Sequence, residues 1–165
     1  MRIKYFYFIA LAVFVIDIAT KMLTDGVIYA PAIPGLFSIE SHHNTGASFS
    51  IFAGSTAAQV LFIIFAIIFA VGIVLFDCFN KTVHTNGWFV AGATLMLGGI
   101  VGNLYDRIFF GYVRDFISLD FMNFAIFNVA DMALCVGVVC VAVWLLFFST
   151  KKETKEENGT SKVES

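Results

Sequence analysis

Four long apolar runs divide this chain, and most of its polar residues collect between them. The runs cover about residues 5–23, 56–76, 87–106 and 127–148. At a helical rise of about 1.5 Å per residue, each is long enough to cross a hydrocarbon layer about 30 Å thick. The pattern predicts an all-α membrane protein with four transmembrane helices. A polar excursion over residues 24–55 holds both prolines, Pro31 and Pro34, which oppose a continuous helix there. Residues 37–41 and 48–52 alternate weakly between apolar and polar, with a turn-like Asn44-Thr45-Gly46-Ala47 between them. That pattern predicts a small sheet-like region at the membrane surface. His42 and His43 are adjacent, so on a strand they point to opposite faces and make surface residues rather than a ligand pair.

Composition agrees with the pattern. The chain is 59% hydrophobic, 13% charged, and has a mean hydropathy of +0.88, more apolar surface than a soluble domain of 165 residues can hide. The three cysteines, Cys78, Cys135 and Cys140, show no metal-ligand or disulfide spacing and read as small apolar packing residues. Met1-Arg2-Ile3-Lys4 followed by an apolar stretch looks like the start of a signal peptide. The run continues through Asp17 to Leu23 without a small-residue cleavage site, so a retained first span is expected. From residue 151 the chain is charged and has nothing to bury. Residues 1–150 are therefore read as one four-helix domain and 151–165 as a disordered tail.

The charges sort by side. Four spans place both termini together, with Arg2, Lys4, Lys81, Lys151, Lys152, Lys155 and Lys162, whereas the other side has Lys21, Arg107 and Arg114. The positive-inside rule then puts the termini and the tail in the cytoplasm. Asp17, Lys21, Asn44, Asn103, Asp106, Arg107, Asp115, Asn128 and Asp131 all gather at the opposite, extracytoplasmic rim. Asp17 and Lys21 share a helix face as an i,i+4 pair, and Lys21, near the helix end, is placed to snorkel to the interface. Asn103 and Arg107 share another face.

Two carboxylates stand out in this cluster. Asp131 lies about a turn inside the fourth span and Asp115 just outside it. A carboxylate inside a membrane segment is costly and marks a functional site by default. Two close aspartates do not both ionise cheaply, and a pair sharing one proton can activate a water and protonate a leaving group. The alternative is a loop carboxylate plus a helix N-terminal charge favoured by the dipole. A proton or ion path fits less well, because the inner halves of the spans carry almost no ionisable residues.

Five blocks together resemble the lipoprotein signal peptidase (signal peptidase II) family of bacterial membrane aspartyl proteases. They are Asp17-Ile18-Ala19-Thr20-Lys21, Asn44-Thr45-Gly46-Ala47, Gly102-Asn103-Leu104-Tyr105-Asp106-Arg107, Val113-Arg114-Asp115-Phe116 and Phe127-Asn128-Val129-Ala130-Asp131, in the family's order. Ile18 departs from the family's usual Gln. The resemblance implies Asp115 and Asp131 as the catalytic dyad, with Asn44, Asn103, Arg107 and Asn128 positioning substrate and dyad. Asp17 and Lys21 would shape the site from the first helix. It implies a diacylglyceryl-modified prolipoprotein as substrate, cut just before the lipidated cysteine, and a globomycin-type inhibitor. It implies no metal or organic cofactor. The setting would be the bacterial cytoplasmic membrane, with the site on its outer face and membrane lipids as neighbours. Phe116, Phe121, Met122 and Phe124 are expected in a loop that covers the bound peptide.

Overall fold

The computed structural model describes residues 2–46, 54–79 and 86–149. Four helices form the body: α1 (Arg2–Thr24), α2 (Thr56–Phe79), α3 (Gly87–Phe109) and α4 (Val129–Trp144), the last continued by a π-helical turn over Leu145–Ser149. All four carry segments long and apolar enough to span a membrane. The third extends three residues beyond the expected end at 106, and the fourth begins at Val129 because Asn128 caps it.

Helix α3 is the axis of the bundle, and its glycines explain why. Any Cβ on Gly98 would lie 2.7 Å from Val13 of α1, and one on Gly99 would lie 2.5 Å from the Ala130 carbonyl oxygen of α4. Gly92 of α3 and Gly137 of α4 meet in the same manner. With lipid outside, dispersion between closely approaching backbones replaces hydrophobic exclusion as the force joining helices. Phe6 and Ala10 of α1 pack with Ala93 and Leu97 of α3 to form the small apolar core.

The surface sheet has three antiparallel strands, β1 (Ala30–Ile33), β2 (Phe37–Asn44) and β3 (Val113–Leu119), in the order β1-β2-β3. The expected small sheet is present, and it takes in a strand that follows α3. Strand β2 pairs with β1, which contains Pro31, and with β3 from the far side of α3. Pro31 is tolerated because β1 is an edge strand. The expected strand at 48–52 lies outside the described residues, as does the charged tail. Ile39 pairs with Ile117 and His42 with Asp115, so β2 holds one extra residue between these pairs. Such a bulge re-aims the side chains that follow it, here the stretch that ends at Asn44.

Two further expectations are revised. Lys21 is fully buried and turned inward instead of snorkelling, because three polar groups await its ammonium inside. Phe116 is 5% exposed within β3 and belongs to the core, whereas Phe121, Met122 and Phe124 are exposed. Cys78 and Cys135 lie exposed on their helices, since the outside of a membrane helix is itself an apolar setting. His42 and His43 are surface residues, with the His43 ring stacked on Tyr112.

Candidate active site

Asn128 begins the site. Its Oδ1 accepts from the Asp131 N–H at 2.9 Å, and the Asp131 carboxylate accepts in return from the Asn128 N–H at 3.3 Å. This capping box satisfies orphan donors of α4 and holds Asp131 in the first turn, where the helix dipole favours a negative charge. The other end of the Asn128 amide donates to Asp115 Oδ1 at 2.6 Å and to Asn103 Oδ1 at 3.1 Å. Asn103 in turn donates to Asp131 Oδ1 at 2.8 Å, and Asn44 donates to Asp115 Oδ2 at 3.1 Å. Two carboxylates from different elements are thus held by three asparagine amides.

A second layer lies behind them. The Lys21 ammonium reaches Asp17 at 2.8 Å, Asn103 Oδ1 at 3.0 Å and Asp106 at 3.2 Å. Because an ammonium only donates, it fixes the Asn103 oxygen toward α1 and turns the Asn103 NH₂ toward Asp131. Asp17 also accepts from the Ala130 N–H at 2.9 Å, capping α4 from across the bundle. Asp106 receives Arg114 through its side chain at 2.7 Å and through its backbone N–H at 3.0 Å. Gly111, at φ +76°, makes the turn that brings β3 back beside the end of α3 for this contact. Asp17, Asp106, Lys21 and Arg114 form a buried set with two charges of each sign, the condition under which buried ions are tolerable.

The dyad opens into a cavity of about 570 Å³ lined by Asn44, Asn103, Arg107, Asp115, Asp131 and the 124–127 segment, with Leu134, Cys135 and Val136 continuing its wall along α4. Arg107 packs its guanidinium 5.3 Å from the Phe62 ring of α2, and its buried Nε has no hydrogen-bond partner among the described residues. Burial foremost, and then the Asp131 charge, push Asp115 up to about 7, against the lowering effect of the Asn44 and Asn128 hydrogen bonds.

All eight residues expected at the site converge on it, six lining the cavity or bonding to the dyad and two, Asp17 and Lys21, standing behind. Asp106 and Arg114 were not among them, although both are at the heart of the second layer. The signal was present: Asp106 follows Asn103 by three residues on one helix face, and Arg114 directly precedes Asp115.

Comparison with known proteins agrees with this architecture. The family model described as signal peptidase (SPase) II matches residues 9–147. The chain belongs to the signal peptidase II family. A lipoprotein signal peptidase of Lactobacillus johnsonii is 42% identical over 119 residues, covering 72% of this chain and 74% of the relative. One of Pseudomonas fluorescens is 41% identical over 152 residues, covering 87% of each. A solved bacterial membrane enzyme superposes with a TM-score of 0.80 at 32% identity, over 91% of this chain and 92% of that one. As a signal peptidase II, this multi-pass membrane protein is an aspartic-type protease that removes signal peptides from prolipoproteins.

Proposed function

We propose that Asp115 and Asp131 are the catalytic dyad and that they share one proton when active. The observation that carries this reading is their convergence on one cavity, bridged by the Asn128 amide. The ionised member takes a proton from water, whose oxygen attacks the scissile carbonyl carbon. The protonated member donates to the carbonyl oxygen and, as the C–N bond breaks, a proton passes to the leaving amine. Water supplies OH to the new carboxyl group and H to the new amine, so the step balances. A dyad carrying one negative charge opposite Arg107 is neutral overall, which suits a poorly hydrated site. Arg107 lines the same cavity, where its guanidinium can meet a substrate carbonyl, and Asn44, Asn103 and Asn128 keep the carboxylates in register.

The bond cut is the one just before a diacylglyceryl-modified cysteine. Asp131 in the first turn of α4 and Asp115 at the span's edge set the chemistry near the headgroup level, where a peptide anchored by acyl chains presents that bond. Globomycin-type inhibitors would occupy the same cavity. The lysine and arginine bias supports cytoplasmic termini and an extracytoplasmic site in the bacterial inner membrane. Residues 1–150 act as the peptidase domain, and the tail beyond 150 is dispensable for cleavage.

The decisive experiment incubates purified protein with a diacylglyceryl-modified precursor and reads the product mass. Cleavage directly before the modified cysteine is expected, with Asp115→Asn and Asp131→Asn each at least about a thousandfold slower while remaining folded and inserted. Substantial turnover by either variant removes that residue from the dyad.

A further inference from the structure

One face of α3 runs from the catalytic cavity to a separate apolar groove, with Ile100 buried between the two. Phe89, Ala93, Met96, Ile100, Asn103 and Arg107 follow one another at spacings of four and three, so they lie on a single helix face. Asn103 and Arg107 line the catalytic cavity at one end. Phe89, Ala93 and Met96 line a groove of about 390 Å³ at the other, together with Phe69, Gly72 and Phe76 of α2 and Val141 of α4. Helix α4 repeats the pattern: Asp131 and Leu134 line the cavity, and Val138 and Val141 continue the same face down to the groove. From Arg107 to Phe89 the stripe is about 27 Å long by helix rise, close to the thickness of the hydrocarbon layer.

The groove has the features of a seat for apolar side chains. It is almost wholly apolar and lies among helices α2, α3 and α4. It is too small for a helix, yet large enough for side chains from a helix laid over it. Its inner end is closed by rings from three helices, Phe76 against Phe89 at 5.3 Å and Phe89 against Trp144 at 4.8 Å. Helix α2 has no residue buried within its most apolar window, so its side of the groove remains open. Any Cβ placed on Gly72 would meet nothing within 4 Å among the described residues.

We propose that this gap between α2 and α4, floored by the α3 stripe, is the berth of the substrate's signal peptide. Its apolar helix lies along the stripe, and side chains from its inner half fill the groove while its outer end delivers the scissile bond to the dyad. The inference rests on the proposed cleavage of a membrane-anchored precursor at Asp115 and Asp131. It adds a recognition site in the inner half of the membrane, so the enzyme would read the length and bulk of the apolar segment as well as the residues around the cysteine.

Gly72→Phe fills the groove without a clash at Cβ and tests the berth. Two diacylglyceryl-modified precursors are compared, one with its whole signal peptide and one lacking the N-terminal half of the apolar segment. The variant should raise KM for the whole precursor about tenfold with little change in kcat, and leave the shortened precursor unaffected. In parallel, a benzophenone amino acid in place of Phe69 should crosslink to the whole signal peptide on illumination, and not to the shortened one. Equal loss on both precursors would mean a structural effect and overturn the berth, as would no change on either. Crosslinks to lipid alone would give the groove to acyl chains and also overturn it. A wild-type enzyme that cuts neither precursor overturns the cleavage reading itself, and the berth with it.

Discussion

Asn128 donates its side-chain amide to Asp115 at 2.6 Å, and the same side chain caps the helix that carries Asp131. One residue thus couples a carboxylate on β3 to a carboxylate on the next element, α4. Asn128→Ala should lower the rate at every pH and weaken the start of α4 by about 1 kcal/mol, the usual cost of a lost N-cap. A pH–rate profile that keeps its bell shape at reduced height is the expected outcome. Loss of one whole limb would place Asn128 in the proton transfers themselves.

The pH dependence of activity follows from Asp115. Its proton is held up to about 7 by burial and by the Asp131 charge. Activity should therefore fall as pH rises through about 7, when the pair loses its last proton, and fall again in acid when both carboxylates are protonated. Rates measured at saturating and at low precursor across this range would show both limbs. A flat profile, with binding and release excluded as rate-limiting, rules out a shared proton.

Stability should carry the same signature with a definite sign. A carboxyl whose folded pKa is raised contributes fully below its unfolded value near 3.8. That contribution is lost as pH rises from there to about 7, because the unfolded chain releases a proton the folded one keeps. Asp115→Asn removes the titration. In detergent, the Tm of the variant relative to wild type should climb between pH 4 and 7 and then level off.

Gly102 tests the support behind the dyad. Any Cβ there would lie 2.5 Å from the Asp17 carboxylate and 3.3 Å from Ala130. Gly102→Ala should push Asp17 off the α4 N-terminus, costing about 1–3 kcal/mol as overpacking usually does, and depress activity. Gly87→Ala, where the added group meets nothing within 4 Å among the described residues, serves as control. Equal thermal stability of the two variants would show that the α1–α4 contact is slack.

Orientation is checked by labelling. In a background without native cysteines, Asn123→Cys should react with an impermeant reagent from outside the cell and Ser161→Cys should not. The reverse pattern would put the cavity in the cytoplasm, away from any exported precursor.

Much of this was legible in the chain itself. Span number and the rim carrying the polar residues follow from hydropathy and spacing, because a bilayer leaves few ways to hide a backbone or a charge, whereas the role expected of the two aspartates came from the resemblance of five blocks to a known family. Local periodicity could not show that β2 would take β3 as a partner, since the strands are separated by α2 and α3. Nor could it show that Lys21 turns inward: a lysine near a helix end snorkels unless partners await it, and its partners Asn103 and Asp106 come from a helix more than 60 residues away. Asp106 and Arg114 were placed on that side but given no role at the site for the same reason. A sequence states which charges exist and how deep each lies, because those depend on neighbours along the chain. Which charge neutralises which is decided only when the helices pack, because the Coulomb and hydrogen-bond terms depend on distances through space.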